Sequence, residues 1–193
     1  MKPGIYKIDL EYQENTSSTT ISVENDPRLK TSQKAIDEGY AASKEIEAMT
    51  QLAADAVKQL IESKNTAKDL SKKLKNDDAK KYKEEIDISK KISKKIDSIV
   101  ALYIGKEDKR QGITRNPEIN VMQRLGSAGW YSGSRPNGMT KTETLLMKHA
   151  KDALADALMQ TNSFFEKEWM VYKTQLEKIQ LSPFKDLSKF KVD

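Results

Sequence analysis

The sequence predicts a mainly α protein: an elongated antiparallel helical bundle of three long helices plus one short, preceded by an N-terminal β-hairpin. Three observations carry that prediction. Of 193 residues, 33% are charged and 37% hydrophobic, with only 8 Gly and 5 Pro, which is the composition of long amphipathic helices. The first stretch alternates apolar and polar side chains in the period of a strand. After it, apolar or small residues recur every three and four positions through about five heptads.

The stretch GIYKIDLEY places Tyr6, Ile8, Leu10 and Tyr12 on one face and Lys7, Asp9 and Glu11 on the other, the pattern of a half-buried strand. The polar run 13–18 reads as the turn. Residues 19–24 alternate again, with Ile21 and Val23 inward, and complete the hairpin. Asn25-Asp26-Pro27-Arg28 ends it, because Pro27 cannot donate to a ladder. A lone two-stranded hairpin is marginal in water, so its apolar face has to rest on the helices, on another chain or on further strands.

Thr31 is the expected N-cap of the first long helix. Its seam runs through Ala35, Gly39, Ala42, Ile46, Met49, Ala53, Ala56, Leu60, Ser63, Ala67, Leu70 and Leu74. About 44 residues at 1.5 Å each make a rod about 65 Å long. Asn76-Asp77-Asp78 break and recap the chain, and a second helix is expected over about 78–104. Its stripe is Tyr82, Ile86, Ile92, Ile96, Ile99 and Tyr103, with Ser89 as a weak middle and Gly105 as the stop. The short link makes these two helices antiparallel.

Residues 105–115 read as a polar loop. Asn116-Pro117 is an N-cap followed by proline at the first helical position, opening a short helix with Ile119, Met122 and Leu125. Residues 126–138, GSAGWYSGSRPNG, read as a glycine-rich loop carrying Trp130 and Tyr131. Thr140-Lys141-Thr142-Glu143 is a capping box. It opens the last long helix, to about residue 179, with Leu146, Ala150, Ala157, Thr161, Phe164 or Phe165, Trp169, Tyr172 and Leu176 at helical spacing. Phe184, Leu187 and Phe190 are candidate tethers for the tail.

Composition limits the chemistry. Without cysteine there is no disulfide framework, thiol nucleophile or cysteine zinc site. The one histidine, His149, excludes triads, and it has Leu146 rather than Glu three residues before it, against a di-metal carboxylate bundle. The expectation is therefore no catalytic residue, no metal and no cofactor. No apolar run reaches the length of a membrane span. The net charge of +5 arises from 34 basic residues mixed among 29 acidic ones. Residues 64–95 hold 12 Lys and 6 acidic residues but no Arg and one aromatic, so nucleic acid is not the expected partner. Trp130, Tyr131 and Arg135 form the candidate interaction surface, having the composition of protein interfaces. The opposing reading is a plug over one end of the bundle.

The order of features resembles a known family. Pro3-Gly4-Ile5-Tyr6 opens an alternating strand, Asp26-Pro27-Arg28 ends the second, and a long helix follows at once. Further on, Leu125 precedes a loop with Pro136 and Thr140, and the last helix carries Trp169. This resembles the C-terminal region of sortilin-like, BNR-repeat β-propeller proteins, often labelled glycosyl hydrolases. In that family such a hairpin closes a small β-sandwich behind the propellers, and a helical segment completes the chain. The resemblance implies an exported parent. Any hydrolase activity would belong to propellers, and no BNR motif stands in this chain.

The resulting expectation is a hairpin over 1–28, part of a β-sandwich, and a helical bundle domain over 29–193. The chain then acts as a non-catalytic accessory or structural domain, in docking on the parent's own propeller domains or in self-association through the hairpin or the helices. The alternative is an autonomous coiled-coil binding module for a protein partner or an anionic polymer.

Overall fold

The computed structural model describes residues 2–106, 119–134 and 138–179. It is mainly helical, with an antiparallel hairpin at the N-terminus. The strands are β1 (Gly4–Tyr12) and β2 (Asn15–Val23). The helices are α1 (Gln33–Asp78), α2 (Lys83–Ile104), α3 (Val121–Gly133), α4 (Lys141–Ser163) and α5 (Met170–Leu176). A π-helical segment, Phe164–Trp169, joins α4 to α5 without a break in helical backbone. Among the described residues no helix is long and apolar enough to cross a membrane.

The hairpin turn is tighter than expected. Tyr12 pairs with Asn15, so only Gln13 and Glu14 turn, and the Ser/Thr run that read as loop belongs to β2. Hydroxyl-bearing β-branched residues suit an exposed strand, and the Ser18 hydroxyl donates to Asp9 across the pair, 2.5 Å. After the hairpin, Asp26-Pro27-Arg28 closes on itself. The Asp26 carboxylate accepts from the Arg28 backbone N–H at 2.9 Å and from its guanidinium at 2.6 Å, and the guanidinium holds that carboxyl below its ordinary pKa.

Ser32, one residue after the expected Thr31, caps α1 by accepting from the Ala35 N–H at 3.2 Å. The seam read from the sequence is the shielded face of α1: Ala35, Ala42, Met49, Ala53, Ala56, Leu60, Ala67 and Leu74 are buried, and Gly39, Ile46, Ser63 and Leu70 are half-buried. The helix runs through Asn76 and ends at Asp78, whose side chain accepts from the N–H groups of Lys80 and Lys81, both at 2.9 Å. This four-residue turn delays α2 to Lys83. Gly105 stops α2 with φ of 80°, a conformation that favours glycine.

The chain divides into two compact units, and the dividing lines pass through α1 and α4. The first comprises residues 1–54 and 108–155: the hairpin, the first part of α1, α3 and most of α4. Here Lys151 pairs with Glu45 at 3.1 Å. Gly138, just before α4, sits at φ 83°, where a Cβ would come within 3.1 Å of Ala35. Going from 138 to 151 therefore follows α1 from 35 to 45, so α4 runs parallel to α1. The second unit comprises residues 55–107 and 156–193. Lys64 of α1 pairs with Asp97 of α2, equidistant in sequence from the turn at 79–82, so these helices are antiparallel. Ser89 meets Tyr172 and Tyr103 meets Thr161, so α2 is antiparallel to the last helical run as well.

That last run slips register. Its buried positions are Glu143, Met147, Ala150, Leu154, Ala157, Thr161 and Phe164, spaced four and three in turn. Continued unchanged, the stripe would fall on Glu168, Val171 and Gln175. Instead Glu168 is exposed and pairs with Lys95 at 3.5 Å, Val171 is exposed, and Tyr172 and Leu176 are buried. The π segment absorbs the one-residue difference, because i→i+5 bonding fits an extra residue into the turn. The slip keeps a carboxylate out of the core and brings a tyrosine in.

Candidate functional site

The three residues singled out from the sequence fare differently. Trp130 and Tyr131 do not sit on a loop but on α3, and Arg135 lies outside the described residues. The expected start at Asn116-Pro117 also lies outside them, and the cap is Asn120. Its side chain accepts from the Gln123 N–H at 2.9 Å while the Gln123 side chain accepts from the Asn120 N–H at 3.2 Å. This reciprocal box fixes the first turn. Val121, Leu125, Ala128 and Ser132 then make a buried stripe spaced four, three and four. Burial of that stripe overrides the weak helix propensity of Gly126, Gly129 and Gly133, which costs about 1 kcal/mol each relative to alanine. The Asn-x-x-Gln spacing was the available signal.

Trp130 lies off the stripe and is 76% exposed, and Tyr131 is 45% exposed. With Ile119, Gln123, Arg124 and Leu146 they line an open, shallow depression of the first unit. One Arg124 guanidinium nitrogen lies 3.5 Å from His149 Nδ1. The depression offers rings, an amide, a guanidinium and the Ser127 hydroxyl, and no carboxylate lines it.

A second uncovered surface is the hairpin. Ile8, Leu10, Tyr12 and Ile21 share one face by the pairing register, and all are exposed, Leu10 by 66% and Tyr12 by 69%. Only Tyr6 and Val23 on that face are partly shielded. A Tyr6 hydroxyl donating to the Lys2 carbonyl at 2.7 Å, and Lys2 pairing with Asp37 at 2.9 Å, tie the strand base to α1.

The acids found elsewhere have structural work. Glu143 is the buried carboxylate among the described residues, and it is held by the Thr140 N–H at 2.9 Å and the Thr140 hydroxyl, the box expected from the sequence. Asp9, Asp37, Asp78 and Asp87 have lowered pKa values, from Lys7, Lys2, the Lys81 backbone and Lys90 respectively, all at the surface. Among the described residues no group of His, Asp and Glu is arranged to hold a metal ion. In the lysine-rich stretch, Lys64, Lys90 and Lys95 each face a carboxylate, of Asp97, Asp87 and Glu168.

Ser89, the weak middle of the expected stripe, lies on it in the structure. It is 1% exposed, donates to the Glu85 carbonyl at 2.8 Å and meets the Tyr172 hydroxyl at 3.0 Å. Its position on the stripe was the signal that it faces the core; its partner could not be found without the register slip. Comparison with family models, curated proteins and solved structures returns no match to this chain.

Proposed function

We propose that the chain is a non-catalytic interaction domain, working in docking or self-association as the C-terminal accessory part of a larger sortilin-like propeller protein. The observation that carries this reading is the hairpin: a well-paired nine-residue ladder whose apolar face is uncovered. Two strands do not stabilise such a face alone. The exposed Trp130 and Tyr131 supply a second contact surface of interface composition. The parent context rests on the Pro-Gly-x-Tyr and Asp-Pro-Arg motifs and their order.

The interleaved charges of the second unit weigh against the anionic-polymer version of a binding module, since ion-paired lysines release fewer counterions. The test is made in the parent protein. Removing residues 4–193, the hairpin included, is expected to change assembly or partner binding and to leave propeller chemistry in place. Loss of turnover in a deletion that still folds overturns the reading.

A further inference from the structure

The free edge of β1 carries a register of its own. The two-residue turn has φ of 56° at Gln13, as in a type II′ hairpin turn. Such a turn closes on a hydrogen-bonded pair, here Tyr12 and Asn15, and hydrogen-bonded and non-bonded pairs alternate from there. Even-numbered residues of β1 therefore turn their backbone groups toward β2. Odd-numbered residues from Ile5 to Glu11 turn theirs outward, to an edge that no strand among the described residues pairs with.

We propose that two copies of the chain pair antiparallel along this edge, about a two-fold axis at Ile8, to make a four-stranded sheet. In that register Lys7 of each copy lies directly opposite Asp9 of the other, and the two exchange backbone hydrogen bonds. Ile8 meets Ile8 at the axis as a close non-bonded pair, and Tyr6 meets Leu10 on the apolar face. Charge disfavours the neighbouring registers, and centring on Tyr6 sets Asp9 against Pro3, which cannot donate to a ladder. Centring the pairing on Lys7 or on Asp9 opposes like charges, and centring it on Leu10 sets Asp9 against Glu11. Like charges directly opposite destabilise an antiparallel pair. The outer edge of β2 turns out Thr16, Ser18, Thr20 and Ser22, which are uncharged and fix no register. Pairing raises the strand number from two to four, and three or more give a sheet independent stability.

This inference rests on the self-association arm of the proposed function and names its partner as a second copy. The test uses the full chain and its freedom from cysteine. Oxidised Ile8→Cys protein is expected to form a disulfide dimer. Leu10→Cys is not, because its two copies would lie about 14 Å apart, four residues along the strand. In sedimentation, Lys7→Asp or Asp9→Lys alone is expected to weaken the dimer about tenfold, and the combined Lys7→Asp/Asp9→Lys swap to restore it. A monomeric wild-type chain, cross-linking through Thr19→Cys in β2, or no rescue by the double swap each overturns the proposal. A monomer leaves docking on the parent propellers intact, which the deletion above tests separately.

Discussion

The hairpin and the α2 stripe are both amphipathic, yet only one of them has found cover. Along α2, Ile86, Ser89, Ile92, Ile96, Ile99 and Tyr103 are buried within the second unit, and the polar members are matched: Ser89 with Tyr172, Tyr103 with Thr161. Along β1, the alternation is just as regular, but Ile8, Leu10 and Tyr12 face solvent. Periodicity reports that a face is built to be covered; it does not report by what. In the helical case the cover lies within the chain, and in the strand case none of the described residues provides it.

The largest expected effect comes from truncating the two faces in parallel. Ile96→Ala, at a position with 0% exposure, is expected to lower stability by about 2–5 kcal/mol in a urea melt followed by helical signal. Leu10→Ala is expected to change the same melt by less than about 0.5 kcal/mol. A large loss from Leu10→Ala would show that the hairpin face is covered by the chain itself. Next, Gly138→Ala is expected to cost more than about 1 kcal/mol, from the left-handed backbone and the close approach to Ala35.

The hydroxyl pairs sharpen the comparison further. Ser89→Ala alone is expected to cost about 1–2 kcal/mol by orphaning the buried Tyr172 hydroxyl, and Tyr172→Phe less, because Ser89 keeps its bond to the Glu85 carbonyl. The double variant should cost less than the sum, read in a double-mutant cycle. Burial raises the phenol pKa of Tyr103 and Tyr172, with hydrogen bonds to Thr161 and Ser89 as smaller opposing effects. The neutral phenols are therefore favoured by the fold. The stability they contribute is complete below about pH 10, the ordinary phenol value, and is lost as pH rises above it toward the folded values. Alkaline melts of the Tyr103→Phe/Tyr172→Phe variant should show a shallower decline there. The smallest effect should be a gain. A Cβ at Gly126 meets nothing within 4 Å, so Gly126→Ala is expected to add about 0.5–1 kcal/mol to thermal stability.

The seam of α1 was legible because twelve positions repeated one spacing, and each is buried or half-buried. The capping box at Thr140 was legible because its chemistry is local. The start of α3 was not, because Asn116-Pro117 is a strong signal in isolation and masked the weaker Asn120–Gln123 box four residues on. Glycine content likewise hid the helix that carries Trp130 and Tyr131: propensity is a small term that a buried stripe outweighs. Trp130 and Tyr131 were chosen as contact residues by type, and the structure leaves both exposed on one depression. The uncovered hairpin was legible as a question, since two strands cannot close a sheet, but its edge register needed the turn to be placed at Gln13-Glu14.

The π segment at Phe164–Trp169 has a consequence for how this chain tolerates change in length. It is the mark left by one surplus residue, stored on the solvent side where Glu166, Lys167 and Glu168 project outward. Deleting Lys167 should let the segment relax to an ordinary α-helix with Tyr172 still opposite Ser89, whereas the same deletion in α4 would throw the side chains between it and the segment off the core. A one-residue change in the length of this helix is thus absorbed at a single place.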